Sequence, residues 1–498
     1  MQPSFEILNQ TIPDIVMLIK QRVISCYDLT RFVIDQAKIV DSKCNIIVEE
    51  RFENALIEAK AFDQRLKEGS LTGSITDKPL LGIPFCVKAS LGVEGFRFDM
   101  GAWSRHGIKS SVTCTSIKRL LDAGAILICS TNISEYNLWH QTTNPIYGTT
   151  SNPWGQNRCA GTSSGADAAL VSGGGAIFAL STENDGSIRL SSNFCGLFGH
   201  KPSRGTVPLS GSFPYKSPAD FIGLRALDSI GPMTRNAKDL QLILKIIAGS
   251  CSEDPMSLTG DLNLRSIDVH NLNFAVLEDP SFQQWMTISP EIRLSIRKAS
   301  QRLLDSGAKV TVAPKEIFHT AYWLWRLSMH RSIGGNLLEW YSAGKPRHSL
   351  IELIRQVTGQ SDHTIAGSIL MFADQAVLSK KQEQLRSLDA DISRLQQRLN
   401  AVFKTSQILL MPVYHQTAPR LQTNQMLNAP FPVMTGIINT LGMCATSAPV
   451  GVSGKGLPVG VQIIGPAGFD FLTIKAAEIV GEFIPPPMAR GQRDLQAV

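Results

Sequence analysis

Two serine-bearing stretches decide how this chain is read: Gly161-Thr162-Ser163-Ser164-Gly165 and, after the apolar run Ala176 to Leu180, Ser181-Thr182-Glu183-Asn184-Asp185-Gly186-Ser187-Ile188-Arg189. From Cys159 to Pro208 Gly, Ser, Ala and Thr crowd together, and residues this small let backbone segments approach each other or a ligand closely. A turn following the apolar run would aim successive backbone N–H groups into one small space. Such a nest can hold the oxyanion of a tetrahedral intermediate, with Ser187 as the attacking hydroxyl. Taken alone, the same stretch could equally form an ordinary polar turn.

The first stretch formally matches GxSxG, the nucleophile elbow of α/β-hydrolases. That elbow needs an apolar strand immediately before it and an Asp and a His after it. Asn152 to Arg158 is polar and turn-like instead, and none of the histidines stands in a context that marks a general base. A base of another kind is available. Lys88 ends the apolar stretch Gly82-Ile83-Pro84-Phe85-Cys86-Val87-Lys88, where desolvation would favour the neutral amine, able to accept a proton near neutral pH. The plainer reading is a strand-end lysine that snorkels to solvent.

Outward from these stretches, short apolar runs alternate with helical periodicity. Phe85 to Val87 and Ala125 to Cys129 read as buried strands, with a helix over Thr115 to Ala123 before the second. Pro13 to Lys67 reads as two or three packed helices, from Ile15, Leu18, Ile19 and Val23 and then Leu29, Phe32, Val33 and Ala37. Beyond Asp239 the periodicity is helical, with a strand at Asn273 to Leu277 and a long polar helix from about Asp374 to Thr405 whose charged face is solvated. Strands return at Ile408 to Met411 and Val459 to Ile464. This is the pattern of an α/β sheet covered on both faces. We expect one elaborated domain over 1–498, with a helical region 1–75, a core 79–235, a variable helical region 240–405 and sheet-completing strands in 406–498.

Composition bounds the function. The 498 residues are 43% hydrophobic and 18% charged, enough to bury a large core, and the net charge of +6 comes without a dense Lys/Arg run, so no nucleic-acid partner is implied. Met1 to Ile24 lacks the pattern of a secretory signal, and Ala168 to Leu180 is too short and glycine-rich for a membrane span, which needs roughly 20 apolar residues. The nine cysteines show neither CxxC pairs nor metal spacing with histidine, so buried free thiols in a reducing, cytoplasmic compartment are expected.

Together these elements resemble the amidase signature family. Gly161 to Gly165 resembles its glycine-serine core and Gly186-Ser187-Ile188-Arg189 its nucleophile segment. Phe194 to Pro202, Leu81 to Lys88, Thr131-Asn132 with Glu135, Tyr147 to Trp154, Gly231 to Arg235 and Leu457 to Gln462 are similar to flanking family motifs. The spacing fits too, with 75 residues from Lys88 to Ser163 and 24 between the serines. The resemblance spans roughly Pro79 to Gly465. It implies a large mixed, twisted β-sheet with helices on both faces, and hydrolysis of a carboxamide through a seryl acyl-enzyme. It also implies Ser187 as nucleophile, Ser163 as the proton-bridging serine at a cis peptide bond, and Lys88 as base. Asn184, Asp185, Gly186 and Ser164 would form the oxyanion hole and substrate contacts. A small-molecule amide substrate is implied, with no metal or organic cofactor; a homodimer is left open.

The chain departs from that pattern where it has Asp185 for a glycine, Glu183 for an aspartate, Thr162 and Ala166 for core glycines, and Ala89-Ser90 after the lysine. Two carboxylates flanking an oxyanion hole would oppose the oxyanion and favour protonated lysine. Asp tolerates positive φ better than most residues, so the turn itself can survive. Arg189 and Glu183 are expected as structural partners. Two further readings stay open: an amidase-fold protein that binds an amide without turning it over, and an amidotransferase subunit that releases ammonia from glutamine for a partner. A membrane-associated fatty-amide hydrolase would need an apolar helical cap or N-terminal span. Trp323, Trp325 and Phe431 are candidate pocket walls.

Overall fold

Helices form at the N-terminal end where apolar spacing and capping residues coincide. The computed structural model describes residues 3–68, 78–139, 141–213, 227–258, 272–280, 287–333, 337, 348–376, 381–421 and 433–485. Helix α1 (Ile12–Lys20) starts behind Thr11 and α2 (Cys26–Cys44) behind Ser25; each cap hydroxyl accepts an amide of the first turn, and α2 ends on left-handed Asn45, φ +55°. Ile15 and Ile19 of α1 and Leu29, Val33 and Ala37 of α2 are buried with Ala55 and Ala59 of α3 (Phe52–Glu68). Each such aliphatic burial contributes about 1.5–3 kcal/mol for the larger side chains. Leu29→Ala would therefore loosen the seat of α2.

The sheet holds eleven strands among the described residues. Numbered along the chain they are β1 (Ile47–Glu50), β2 (Pro84–Lys88), β3 (Ile126–Thr131), β4 (Phe178–Glu183), β5 (Phe198–Lys201), β6 (Ser229–Thr234), β7 (Asn273–Val276), β8 (Lys309–Val312), β9 (Ile408–Pro412), β10 (Cys444–Val452) and β11 (Pro458–Gly465). Their spatial order is β1-β3-β2-β4-β6-β5-β10-β11-β9-β7-β8. β2 runs parallel to both β3 and β4, and β7 parallel to β8 and β9, while the joining pairs are antiparallel. The sheet is thus mixed, as expected. β2, β3, β4 and β9 are buried along their whole length, which is why each opens on a continuous apolar run rather than an alternating one; β2, β3 and β4 turn polar only at their carboxyl ends.

Helices α5 (Gly165–Ser172), α6 (Ser187–Cys195), α7 (Ala237–Ile247), α8 (Pro290–Asp305) and the C-terminal α14 (Asp470–Val480) pack on this sheet, and α4 (Thr115–Asp122) packs against α7. Between α8 and β9 lie α9 (Ala321–Ser332), α10 (Ser349–Val357), α11 (Ile365–Ala376) and α12 (Gln382–Thr405), and α13 (Val433–Thr440) precedes β10. The helix expected from Asp374 starts later. Asp374 belongs to α11, buried with an oxygen 2.8 Å from His330 Nδ1, because the apolar stretch Ile365 to Phe372 folds as its own helix. The polar helix proper is α12, which buries Leu388, Leu395 and Leu399 and leaves its charged face in solvent. No helix of the described residues is long and apolar enough to cross a membrane.

Candidate active site

Parallel pairing of β2 with β4, with Val87 opposite Leu180, brings their carboxyl ends side by side. Ligands of open α/β sheets bind outside such strand ends. Lys88, the last residue of β2, is fully buried there. Its Nζ lies 2.6 Å from Ser163 Oγ, 3.0 Å from Ser187 Oγ and 3.1 Å from the Thr182 carbonyl oxygen. The Ser163 amide donates to Ser187 Oγ at 3.0 Å, and the two hydroxyls are 3.2 Å apart. The Thr162–Ser163 peptide bond is cis. Ser164, at the start of α5, places its own hydroxyl 2.5 Å from Ser187 Oγ and 3.3 Å from the Thr182 carbonyl, against the side chain of Ser187 rather than on the turn amides.

The turn that presents Ser187 at the first position of α6 is locked from the far end of the chain. Gly186 caps the helix at φ +127°, a conformation that L-residues rarely adopt, whereas Asp185 keeps a negative φ and needs no special tolerance. Any Cβ on Gly186 would lie 2.0 Å from Thr435 Oγ1 of α13. Thr435 Oγ1 itself donates to the Asp185 carbonyl at 2.6 Å. Glu183 Oε2 accepts the Ile188 and Arg189 amides at 2.9 and 3.1 Å, and its Oε1 accepts Arg189 Nε at 2.9 Å. Arg189 also donates to Gln462 Oε1, the Thr435 carbonyl and Asn439 Oδ1 at 2.8, 2.9 and 2.8 Å. The Glu183 charge is therefore answered by a guanidinium and a helix N-terminus, and it does not stand against the turn as the sequence suggested. Both side chains of the pair are fully buried, a geometry in which removing one partner costs about 3–5 kcal/mol.

Four carboxylates surround Lys88. Burial pulls its ammonium down to about 8, while Asp167, Asp185, Asp228 and Glu183, in falling order, hold it up. Asp167 of α5 accepts from Thr131 Oγ1 and Ser181 Oγ at 2.5 and 2.6 Å; burial lifts its carboxyl to about 6 against those hydrogen bonds and the lysine. Asp185 is lifted to about 7 by burial and by Glu183, and Asp228 to about 8 by burial. Among the described residues Asp185 thus remains as the departure that places an unpaired carboxyl beside Lys88. Asn184 Oδ1 is buried without a hydrogen-bond partner among the described residues.

Sequence reasoning missed Asn137, whose Oδ1 accepts from Ser163 Oγ at 3.1 Å. It sits in a tight turn with Tyr136 and Asn137 both left-handed, φ +53° and +64°. Such residues cost of order 1–3 kcal/mol each and persist where their surroundings over-determine them. Here the determinant is Glu135, whose carboxylate accepts from His363 Nδ1 and from the amide and hydroxyl of Thr364, each at 2.8 Å. Asp167 and Asp228 were missed as well. A lone acid inside the apolar stretch of α5 was the available signal for Asp167; nothing local marks Asn137.

A model of the Amidase family matches residues 28–474. The chain belongs to the amidase family. Fatty-acid amide hydrolase 2-B of Danio rerio is 31% identical over 470 residues, 92% of this chain and 86% of that relative. A glutamyl-tRNA(Gln) amidotransferase subunit of Moorella thermoacetica is 29% identical over 479 residues, 92% of this chain and 93% of the relative. Among solved structures, a bacterial aryl acylamidase of the amidase signature family superposes with a TM-score of 0.77 at 24% identity, covering 94% of this chain and 95% of the other. The fold expected for an amidase is thus the one observed.

Within this amidase the motifs that carried the resemblance have structural duties. Gln462 receives Arg189 and donates to the Pro412 and Met434 carbonyls, both at 2.9 Å. Trp154 Nε1 reaches Ser172 Oγ and the Cys195 carbonyl at 3.0 Å each, tying the loop before α5 to α6. Of the candidate pocket walls, Trp325 is buried against Gly436 in an apolar cluster with Tyr136, Trp139 and Leu227, and Trp323 stays 45% exposed on the surface. Phe431 lies outside the described residues.

Proposed function

We propose that this amidase hydrolyses a carboxamide with Ser187 as nucleophile, Ser163 as proton bridge and Lys88 as base. One observation carries the reading: Lys88 Nζ lies within hydrogen-bond reach of both serine hydroxyls in a fully buried site. Neutral Lys88 takes the Ser163 hydroxyl proton while Ser163 takes that of Ser187, whose oxygen bonds to the amide carbon as the carbonyl electron pair moves onto oxygen. Glu183 occupies the Ile188 and Arg189 amides, so the amides nearer the nucleophile, from Asn184 to Ser187, are the ones available to the oxyanion. Running the relay backwards protonates the leaving nitrogen, and water then releases the acid.

An apolar acyl group is the substrate class best supported. The cluster of Ala89, Tyr136, Trp139, Leu227 and Trp325 borders Lys88 and the turn of Asn137, and the Danio rerio relative is by name a fatty-acid amide hydrolase. Free thiols at Cys26, Cys86, Cys129 and the remaining cysteines suit a reducing, cytoplasmic setting. The amidotransferase reading is favoured by the Moorella relative and requires glutamine and partner subunits, whereas an independent amidase cleaves simple amides alone.

A fluorophosphonate probe read by intact mass tests the site. One adduct is expected on the wild type, none on Ser187→Ala, and a slow one on Lys88→Ala. A folded wild type that takes no adduct at any pH between about 6 and 9, the span of a desolvated lysine, would leave a binding protein as the reading.

A further inference from the structure

We propose that Asn137 is a positioning residue that holds the Ser163 hydroxyl hydrogen away from Lys88 in the resting enzyme, so that the relay starts only when this bond is exchanged for one to the lysine nitrogen. The inference rests on the Ser187–Ser163–Lys88 reading and adds to it the residue that sets its resting state.

Counting hydrogens leads there. A protonated lysine has three N–H bonds, and three oxygens stand around Nζ: Ser163 Oγ at 2.6 Å, Ser187 Oγ at 3.0 Å and the Thr182 carbonyl at 3.1 Å. With all three occupied, Ser163 Oγ is an acceptor toward lysine and must send its own hydrogen elsewhere. Asn137 Oδ1, 3.1 Å away, receives it. A neutral lysine offers a lone pair instead; when that pair takes the Ser163 hydrogen, the bond to Asn137 is lost. The carboxamide oxygen therefore stabilises the protonated, inactive state and not the reactive one.

Asn137 cannot follow the hydroxyl as it turns. Its amide donates to the Ser134 carbonyl at 2.9 Å, Ser134 Oγ is 3.0 Å from Thr162 Oγ1, and Tyr136 Oη is 2.6 Å from Ser104 Oγ. Glu135 anchors the same turn through His363 and Thr364, and Asn137 itself is only half-buried. The other charges facing Lys88 are Asp167 from α5, Glu183 from β4, Asp185 from the turn before α6 and Asp228 just ahead of β6. All are retained when Asn137 alone is changed, so a shift in pH response reports on Asn137.

The test is the rate of fluorophosphonate labelling of Ser187 across a pH range of about 6 to 10, which brackets a desolvated lysine. Asn137→Gly keeps the left-handed backbone and removes the acceptor; Asn137→Asp keeps the shape and adds charge. The midpoint of the rise should fall by about half to one pH unit in Asn137→Gly, the worth of one neutral hydrogen bond, and rise by at least as much in Asn137→Asp. A role in packing alone would scale the profile at every pH and leave its midpoint in place. Midpoints unmoved in both variants, or moved the same way, overturn the proposal; should the glycine variant not fold, an unmoved midpoint in Asn137→Asp does so alone. A labelled wild type with immobile midpoints removes only Asn137, whereas an unlabelled wild type removes the Ser187 reading and this one with it.

Discussion

Replacing Gly186 with alanine asks for a methyl group where the structure has none to spare. The added carbon would stand 2.0 Å from Thr435 Oγ1 and 2.5 Å from Thr435 Cβ, and the backbone would have to hold φ +127° with a side chain. Strain of the second kind costs about 1–3 kcal/mol and overpacking about 1–3 kcal/mol, so the variant should lose at least about 2 kcal/mol at the turn. Expressed in the reaction, that is a fall of about 30-fold or more in the labelling rate of Ser187. Thr435→Gly removes the crowding atoms at a cost of its own, about 1 kcal/mol for glycine in a helix and about 1 kcal/mol for the hydrogen bond to the Asp185 carbonyl. The double variant should then recover the steric share, giving a coupling of about 1–3 kcal/mol across the four proteins. Labelling by intact mass and urea unfolding, run in parallel, separate an altered turn from an unstable fold. Wild-type labelling by Gly186→Ala, or strict additivity of the two substitutions, would refute the account of the turn.

Wild-type activity should rise with pH around a midpoint near 8, where Lys88 loses its proton, and fall tenfold per unit well below it; a midpoint two units lower on a pH–rate profile would contradict neutral lysine as the base. Asp185→Gly removes an anion that holds the ammonium up and opposes the oxyanion, so its midpoint should move down and its rate at pH about 7 should increase several-fold; a slower but folded variant speaks against that placement. Arg189→Met leaves Glu183 buried without its cation and should lose about 3–5 kcal/mol in urea unfolding. In a series of acyl anilides, kcat/KM should grow by up to about fourfold per added methylene, the worth of about 0.8 kcal/mol, until the chain outgrows the apolar wall; a flat series would rule that wall out.

What could be read in advance was chemistry that is local. Lys88 at the end of an apolar strand, and Ser163 and Ser187 among small residues, were open to attention because desolvation and close approach leave marks in the adjacent letters, and the family resemblance singled them out from plainer readings. Inner strands such as β2, β3 and β9 were legible for the same reason, each carrying a continuous apolar run. The edge strands β1 and β8, and the distant partners that complete the buried charge pair around the turn, were not. Glu183 looked like a burden on the oxyanion because its answer, Arg189, folds back on it only when α6 forms, and Gln462, Thr435 and Asn439 come from far along the chain. Asn137 left no trace at all: an asparagine in a polar-looking stretch becomes part of the site only through a turn whose anchor, His363, lies 228 residues from Glu135.

The distance between Arg189 and Gln462, 273 residues, also has a meaning during synthesis. When the ribosome has delivered Lys88, Ser163 and Ser187, the clamp that shapes their turn is still unmade, since Thr435, Asn439 and Gln462 follow Arg189 by 246, 250 and 273 residues. A nascent chain therefore carries these side chains through a long stretch of further synthesis without the contacts that fix their turn.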